Sequence, residues 1–280
     1  MREMEKGRNP LWRIIAGVVA LALIGGLLSF VTAFTGNPVT AFLATRAARQ
    51  YVAEKYQDLD LTVGKAVYNF KMGSYMARAK SGASPDTHFA VYYRGGRVER
   101  DDYEAYVLGM HNTLQRLSDD YSALAAGIIA SELGYADNTT WVMYDKGVLD
   151  EGEVIEVLTL DMEFDRGLPL ETEVMIRLPE TDSTLAGIAQ LLEEAHRAFI
   201  KHGCVFARYG LYADNDGALV MVSGITPADI ESGELVSRLE QAEREAGEAP
   251  DRGKETRDTE ERAGELPEER ISVFRKGKTE

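Results

Sequence analysis

Followed by its alternation of apolar and polar positions, the chain divides into one unbroken apolar run, two blocks of amphipathic pattern and a polar end. No charged residue lies between Ile14 and Phe34, and Val18 to Leu28 is apolar all round the helical wheel, which predicts a helix with no wet face. About twenty such residues at roughly 1.5 Å each match the hydrocarbon thickness of a bilayer. A cleaved signal peptide carries a shorter apolar region, about 7–15 residues, before a small-x-small site. Here the run is longer, and the nearest candidate site, Val31-Thr32-Ala33, opens on a β-branched residue. The expectation is an uncleaved transmembrane helix over 14–34.

Past the run, Gly36-Asn37-Pro38 is a break followed by a helix start, since Asn caps and Pro is tolerated at the first helical position. The helix is expected to reach about Tyr56 and to bury a stripe of Val39, Phe42, Leu43, Ala47 and Tyr51. Leu61–Phe70, a turn at Lys71–Ser74, Tyr75–Lys80 and Phe89–Tyr93 read as an antiparallel meander. From Asp101 to Leu133 the period is helical again, weakened at Gly109 and Gly127 and closed by Gly134. A second block opens near Thr140, with strands over Trp141–Tyr144, Glu153–Leu160 and Glu173–Leu178. Ser183–His202 follows as an amphipathic helix capped by Ser183. Val205–Ala213 and Ala218–Ser223 predict a hairpin around Asp214–Gly217. A further helix starts after Thr226-Pro227, with Asp229 and Glu231 at its positive end.

The pattern therefore predicts an α+β chain: a transmembrane helix, then two small domains, each with a helix or helices on an antiparallel sheet. The expected domains are a 1–13 cytoplasmic N-terminus, a 14–34 membrane helix, 37–134 and 140–247. Residues 248–280 are too poor in apolar side chains to offset the entropy of ordering and are expected to be disordered, with Val273-Phe274-Arg275-Lys276 as a weak docking motif.

Charge refines where the chain works. Arg2, Lys6, Arg8 and Arg13 precede or open the apolar run, and the next basic residue is Arg46, so the N-terminus is expected in the cytoplasm and everything after Thr35 outside it. The formal net charge of −15 argues against nucleic acid as a partner and against adhesion of the body to anionic headgroups. Cys204 is a lone thiol in an apolar run, Cys204-Val205-Phe206, read as strand. It reads as a buried, inert residue of a fold that uses no disulfide.

Several clusters carry candidate chemistry. Asp86 and His88 are two apart after Ser84-Pro85, so on an extended strand a carboxylate and an imidazole would share a face; the same residues fit a hydrogen-bonded turn. Asp161, Glu163 and Asp165 alternate and, if extended, aim at one face, either a cation-binding edge or a solvated one opposite Met162 and Phe164. Asp214-Asn215-Asp216-Gly217 resembles the start of a calcium loop, but position twelve is Ile225, which favours a hairpin turn. The histidines at 88, 111, 196 and 202 are scattered, and the spacing of His196 and His202 puts them on different helix faces. No nucleophile elbow, phosphate loop or dinucleotide fingerprint occurs. No catalytic residue, metal ligand or cofactor is expected.

Val67-Tyr68-Asn69-Phe70-Lys71-Met72-Gly73-Ser74-Tyr75, then Lys80-Ser81 and Ser84-Pro85-Asp86-Thr87-His88-Phe89, resemble the YfjL-like proteins of Gram-positive bacteria. Gly36-Asn37-Pro38-Val39 and Val222-Ser223-Gly224-Ile225-Thr226-Pro227-Ala228-Asp229-Ile230-Glu231 are similar to the same group. The resemblance covers about residues 11–245 and implies one N-terminal span and two small α+β domains. It implies no activity and leaves the charged tail outside the pattern. The expected function is a membrane-anchored extracytoplasmic binding or scaffold module. Its expected partners are the bilayer, through 14–34, and a protein, peptide or envelope component. The alternative is a membrane-anchored hydrolase or metal-dependent enzyme on Asp86, His88 and the carboxylates at 161, 163 and 165.

Overall fold

The computed structural model describes residues 10–144, 156–179, 181–215, 218–248 and 270–276. The chain falls into two compact units that meet between Val107 and Leu108. Each combines helices with an antiparallel-rich sheet, so the α+β reading holds.

The first unit opens with α1 (Pro10–Thr35), whose Trp12–Thr32 segment has mean hydropathy 2.6 and no buried share. By length and composition it can cross a membrane. Two residues later α2 (Pro38–Lys55) begins as the sequence predicts: the Asn37 side chain accepts hydrogen bonds from the amides of Val39 and Thr40, and Pro38 takes the first helical position. The sheet comprises β1 (Leu61–Val63), β2 (Val67–Asn69), β3 (Ser74–Ser81), β4 (His88–Arg94) and β5 (Arg97–Asp101). It is ordered β1-β3-β4-β5, with β2 also on β3. The expected single strand over 61–70 is thus two. Around Gly64–Ala66 the chain steps, so that β1 pairs with the far half of β3 and β2 with its near half.

The expected buried stripe on α2 is corrected. Ala44, Ala48 and Val52 face the sheet, whereas Val39, Phe42 and Leu43 are 67%, 68% and 46% exposed. Alanines let the helix backbone approach β3 and β4 closely, and the larger side chains cannot occupy that gap. Tyr56, Phe89 and Tyr103 close the far end of this core with ring centroids 4.6–5.2 Å apart. There the Asp101 carboxylate accepts from Tyr51 (2.5 Å) and Lys55 (2.9 Å). Burial pushes Asp101 up, but the hydrogen bonds from Tyr51, Lys55 and the Tyr103 amide outweigh it and hold it below the usual carboxylate range.

The second unit contains α3 (His111–Leu133), β6 (Thr139–Tyr144), β7 (Thr172–Pro179), α4 (Leu185–Lys201), β8 (Arg208–Asn215), β9 (Ala218–Ile225), α5 (Pro227–Glu231), α6 (Leu235–Glu248) and β10 (Ser272–Lys276). The sheet order is β10-β9-β8-β7-β6, with β7 and β8 parallel and the other pairs antiparallel. A parallel pair needs a crossover, and α4 supplies it. Val142, Val174, Ile176, Leu178, Leu211, Val220 and Val222 point from one sheet face into a core shared with Leu114, Leu117 and Tyr121 of α3 and Ile188, Leu192 and Phe199 of α4.

Five expectations need correction in this unit. Helix α3, expected in a first domain over 37–134, packs on β6 and α4, because the chain breaks at Gly109 and at Met110, whose φ is +59°. Of the expected strand Glu153–Leu160, residues 153–155 lie outside the described residues, and 156–160 form a turn that tucks Leu158 into the core. Cys204-Val205-Phe206 precedes β8 rather than forming strand, with the Cys204 amide donating to the Phe199 carbonyl at 2.9 Å. The helix cap moves by one residue, from Ser183 to Thr184, which accepts from the Gly187 amide. The last correction concerns the tail expected to be disordered over 248–280. Residues 249–269 and 277–280 lie outside the described residues, but Ser272–Lys276 is β10.

Candidate functional site

The residues nominated from sequence divide between the units. In the first, Ser84–Thr87 forms a hydrogen-bonded turn: the Ser84 hydroxyl donates to Thr87 Oγ1 at 2.6 Å and accepts from the Thr87 amide at 3.0 Å. Asp86 is buried in this turn at 1% exposure, while His88 opens β4 as an exposed residue. The carboxylate and imidazole therefore do not present a common solvent-facing pair. In the second unit Asp161, Glu163 and Asp165 are exposed and alternate with half-buried Met162 and Phe164, which pack on the core. Asp165 accepts from the Gly167 amide at 2.8 Å, an Asx turn. Among the described residues no three His, Cys, Asp or Glu side chains gather as a cation cage.

Asp165 does line a cleft of about 740 Å³ at one end of the sheet, together with Tyr144, Arg166, Glu171, Thr172 and Phe206. The Tyr144 hydroxyl is buried without a hydrogen-bond partner, and burial, with Asp165 nearby, pushes its phenol up to about 12. Arg166 donates to the His202 carbonyl at 2.7 Å. Behind the cleft, Cys204 is fully buried and its thiol is pushed up by that burial, the opposite of what a nucleophile needs. The cleft offers donors and acceptors for a polar ligand, without an activated nucleophile among the described residues.

Polar groups that sequence reasoning passed over lie deeper. His196 Nδ1 is 2.8 Å from the Tyr209 hydroxyl and Nε2 is 3.1 Å from Glu231 Oε1. A carboxylate only accepts, so Nε2–H donates to Glu231 and Nδ1 accepts from Tyr209. Glu173, 1% exposed on β7, has an oxygen with no hydrogen-bond partner, and burial pushes its carboxyl up against the opposing pull of Arg208. The sign follows: a folded pKa above the unfolded one gives stability that is present below the unfolded value and lost as pH rises through the folded one. Glu173→Gln is therefore expected to raise the melting temperature by about 2–4 °C at pH 8. At pH 4 it is expected to change nothing, as scanning fluorimetry of the full chain would read.

The most developed surface is the edge of β9. β10 pairs along it from Ser272↔Ser223 to Lys276↔Leu219. Val273 is buried in the core, Ile271 is half-buried beside it, and Phe274 stays half-exposed on the opposite face. α6 forms the wall: Arg275 pairs with Glu243, Arg270 pairs with Glu245, and Arg275 also donates to the Ser183 carbonyl at 3.2 Å. At the strand's entry Gly224 has φ +73°, and any Cβ there would collide with the Arg270 carbonyl. The arrangement is a groove, one side sheet edge and one side acidic helix, filled by an extended segment reading basic-apolar-x-apolar-x-basic. In the sequence it showed only as a short apolar stretch in a charged tail and as the weak docking motif Val273-Phe274-Arg275-Lys276.

These features define a two-unit α+β protein headed by one apolar helix of membrane-spanning length. Its first part matches the YfjL-like N-terminal domain over residues 11–102 and its second the YfjL-like C-terminal domain over residues 120–240. The chain belongs to the YfjL-like family. No curated protein and no solved structure matches it. The C-terminal match ends within α6, so β10 lies beyond it.

Proposed function

We propose that the protein is a single-pass, membrane-anchored binding module. α1 lies in the membrane, the N-terminus in the cytoplasm and both units outside the cell, and the second unit recognises an extended segment along β9. The observation that carries this reading is β10 itself: a segment beyond the family match adds a strand to the sheet edge and inserts Val273 into the core. Strand addition supplies main-chain hydrogen bonds for affinity, and alternate side chains in pockets supply selectivity. The acidic wall of Glu243 and Glu245 selects basic residues at the flanks. The tail acts as a tethered occupant of a groove that takes a partner peptide or protein of the same chemistry. The basic N-terminal residues and the uncharged run support the orientation.

The other reading, a hydrolase or metal-dependent enzyme on Asp86, His88, Asp161, Glu163 and Asp165, has less behind it, because among the described residues no such group gathers around a cation and Asp86 is buried while His88 is exposed.

Binding of a fluorescein-labelled peptide with the sequence of residues 268–278 tests the groove. Val273→Glu in the full chain is expected to unseat β10 and expose β9, so that the peptide binds the variant and not the wild type, and Glu243→Lys with Glu245→Lys abolishes that binding. A V273E chain that melts cooperatively yet leaves the peptide's anisotropy unchanged overturns the reading.

A further inference from the structure

Among the described residues of the first unit nothing covers the outward stripe of α2. Among the described residues outside α1, the exposed large hydrophobics of that unit are Val39, Phe42, Leu43, Val67, Phe70, Met72 and Tyr106. All but Tyr106 lie on the first turns of α2, on β2 or on the β2–β3 connection, at the end of the unit that α1 enters. The junction is built to hold that relation. Phe34 of α1 meets Phe70 at 6.3 Å between ring centroids. The Tyr75 hydroxyl accepts from the Asn37 amide at 2.6 Å and donates to the Asn37 carbonyl at 3.2 Å.

Charge changes along the chain in the same sense. Residues 36–107, the part of the first unit that follows α1, carry 10 Lys and Arg against 8 Asp and Glu, whereas residues 108–280 carry 17 against 36. The acidity belongs to the second unit, so the whole-chain value of −15 says nothing against an anionic surface for the first. Phe42 lines a groove of about 530 Å³ whose other walls include Arg46, Arg49 and Lys65. Asp101, with Lys55 and Tyr51, sits at the C-terminal end of α2, about 14–20 Å along the helix from Phe42 at the helical rise.

We propose that the first unit seats on the outer face of the bilayer beside α1. Val39, Phe42, Leu43, Val67, Phe70 and Met72 enter the interface, and Arg46, Arg49 and Lys65 bind anionic phospholipid headgroups. This rests on the reading of α1 as a membrane span. An apolar patch continuous with the end of a spanning helix meets lipid first, aromatic side chains favour the headgroup level, and the long stems of Arg and Lys reach phosphates from an apolar floor.

Spin labels read the depth directly in the full chain reconstituted into lipid nanodiscs. On a Cys204→Ala background, labels at Lys71→Cys, between Phe70 and Met72, and at Ala83→Cys, exposed on the β3–β4 connection at the opposite end of the sheet, are compared for access to oxygen and to an aqueous nickel chelate. In discs containing phosphatidylglycerol the label at 71 is expected in the interface, with severalfold lower nickel access than at 83. In pure phosphatidylcholine, or with Arg46→Gln, Arg49→Gln and Lys65→Gln, it moves toward water. Equal nickel access at 71 and 83 overturns the proposal, equal depth in both lipids overturns the headgroup assignment, and low access to both probes marks a second copy as the occupant. A chain that elutes apart from the discs overturns the membrane reading instead, and this inference with it.

Discussion

His196→Leu is expected to cost about 2–4 kcal/mol of unfolding free energy, a large share of a domain's stability. The side chain is 6% exposed on α4, and its loss strands the hydroxyl of Tyr209, which is fully buried on β8. Burial pushes the Tyr209 phenol far above its ordinary value, so that hydroxyl stays protonated and has to donate. Tyr209→Phe strands His196 Nδ1 instead and is expected to cost about 1–3 kcal/mol. Removing both partners leaves nothing buried and unpaired, so the double variant is expected to lose less than the sum of the singles by more than about 1 kcal/mol. Glu231 is exposed on the other side of the ring, and Glu231→Gln is expected to change stability by under about 0.5 kcal/mol. Denaturant titration of the four variants gives the cycle, and strict additivity would show that the pair is not coupled.

Gly36→Ala is the second large effect. Gly36 has φ +76°, and a methyl there would meet the Tyr68 Cβ at 2.5 Å. The left-handed backbone alone costs an alanine about 1 kcal/mol, and Tyr68, stacked on Tyr75 at 5.0 Å, cannot withdraw without breaking the bonds of Tyr75 to Asn37. The expected loss is about 2–4 kcal/mol in the first unit. The consequence reaches further than stability: α1 and α2 lose their fixed relation, and a label at position 71 is expected to leave the interface. Tyr75→Phe removes only the hydroxyl and is expected to show a weaker form of both effects. A Gly36→Ala chain with unchanged melting and unchanged label depth would mean that the junction is not a rigid one.

The sequence made some elements plain for physical reasons that others lack. Asn37-Pro38 and Thr226-Pro227-Ala228-Asp229 are local signals, and both become caps, the second with the Thr226 and Asp229 side chains bonding each other's backbone amides. The stripe Leu185, Ile188, Ala189, Leu192, Ala195 and Phe199 was legible because a whole helix face repeats it, and every member is buried. On α2 the periodic large residues misled, since the close-packed face is made of Ala44 and Ala48 and the larger side chains face outward. Periodicity also says that α3 has an apolar face without saying which sheet receives it. β5, Arg-Val-Glu-Arg-Asp, is a polar edge strand with no alternation to read.

The candidate site was less legible than the fold. Asp86 looked like half of an acid–base pair because residue type is visible in sequence and burial is not. Asp161, Glu163 and Asp165 alternate as expected, yet only Asp165 reaches the cleft. The β9 groove could not be read from local pattern, since its occupant follows more than twenty residues of mostly charged chain after α6. The charge difference between the units was in the composition all along, but it acquires meaning only once the boundary at Val107 is known.

The proposed binding role and the lipid seat of the first unit both depend on where the body of the protein lies relative to the membrane, and combined carbonate extraction and protease shaving of intact cells with an accessible membrane measures that directly. The account predicts that the full chain stays in the carbonate pellet and that external trypsin removes both units, leaving a small membrane-protected fragment that contains α1. Release of the chain by carbonate, or a body that resists trypsin until the cells are broken open, would contradict it.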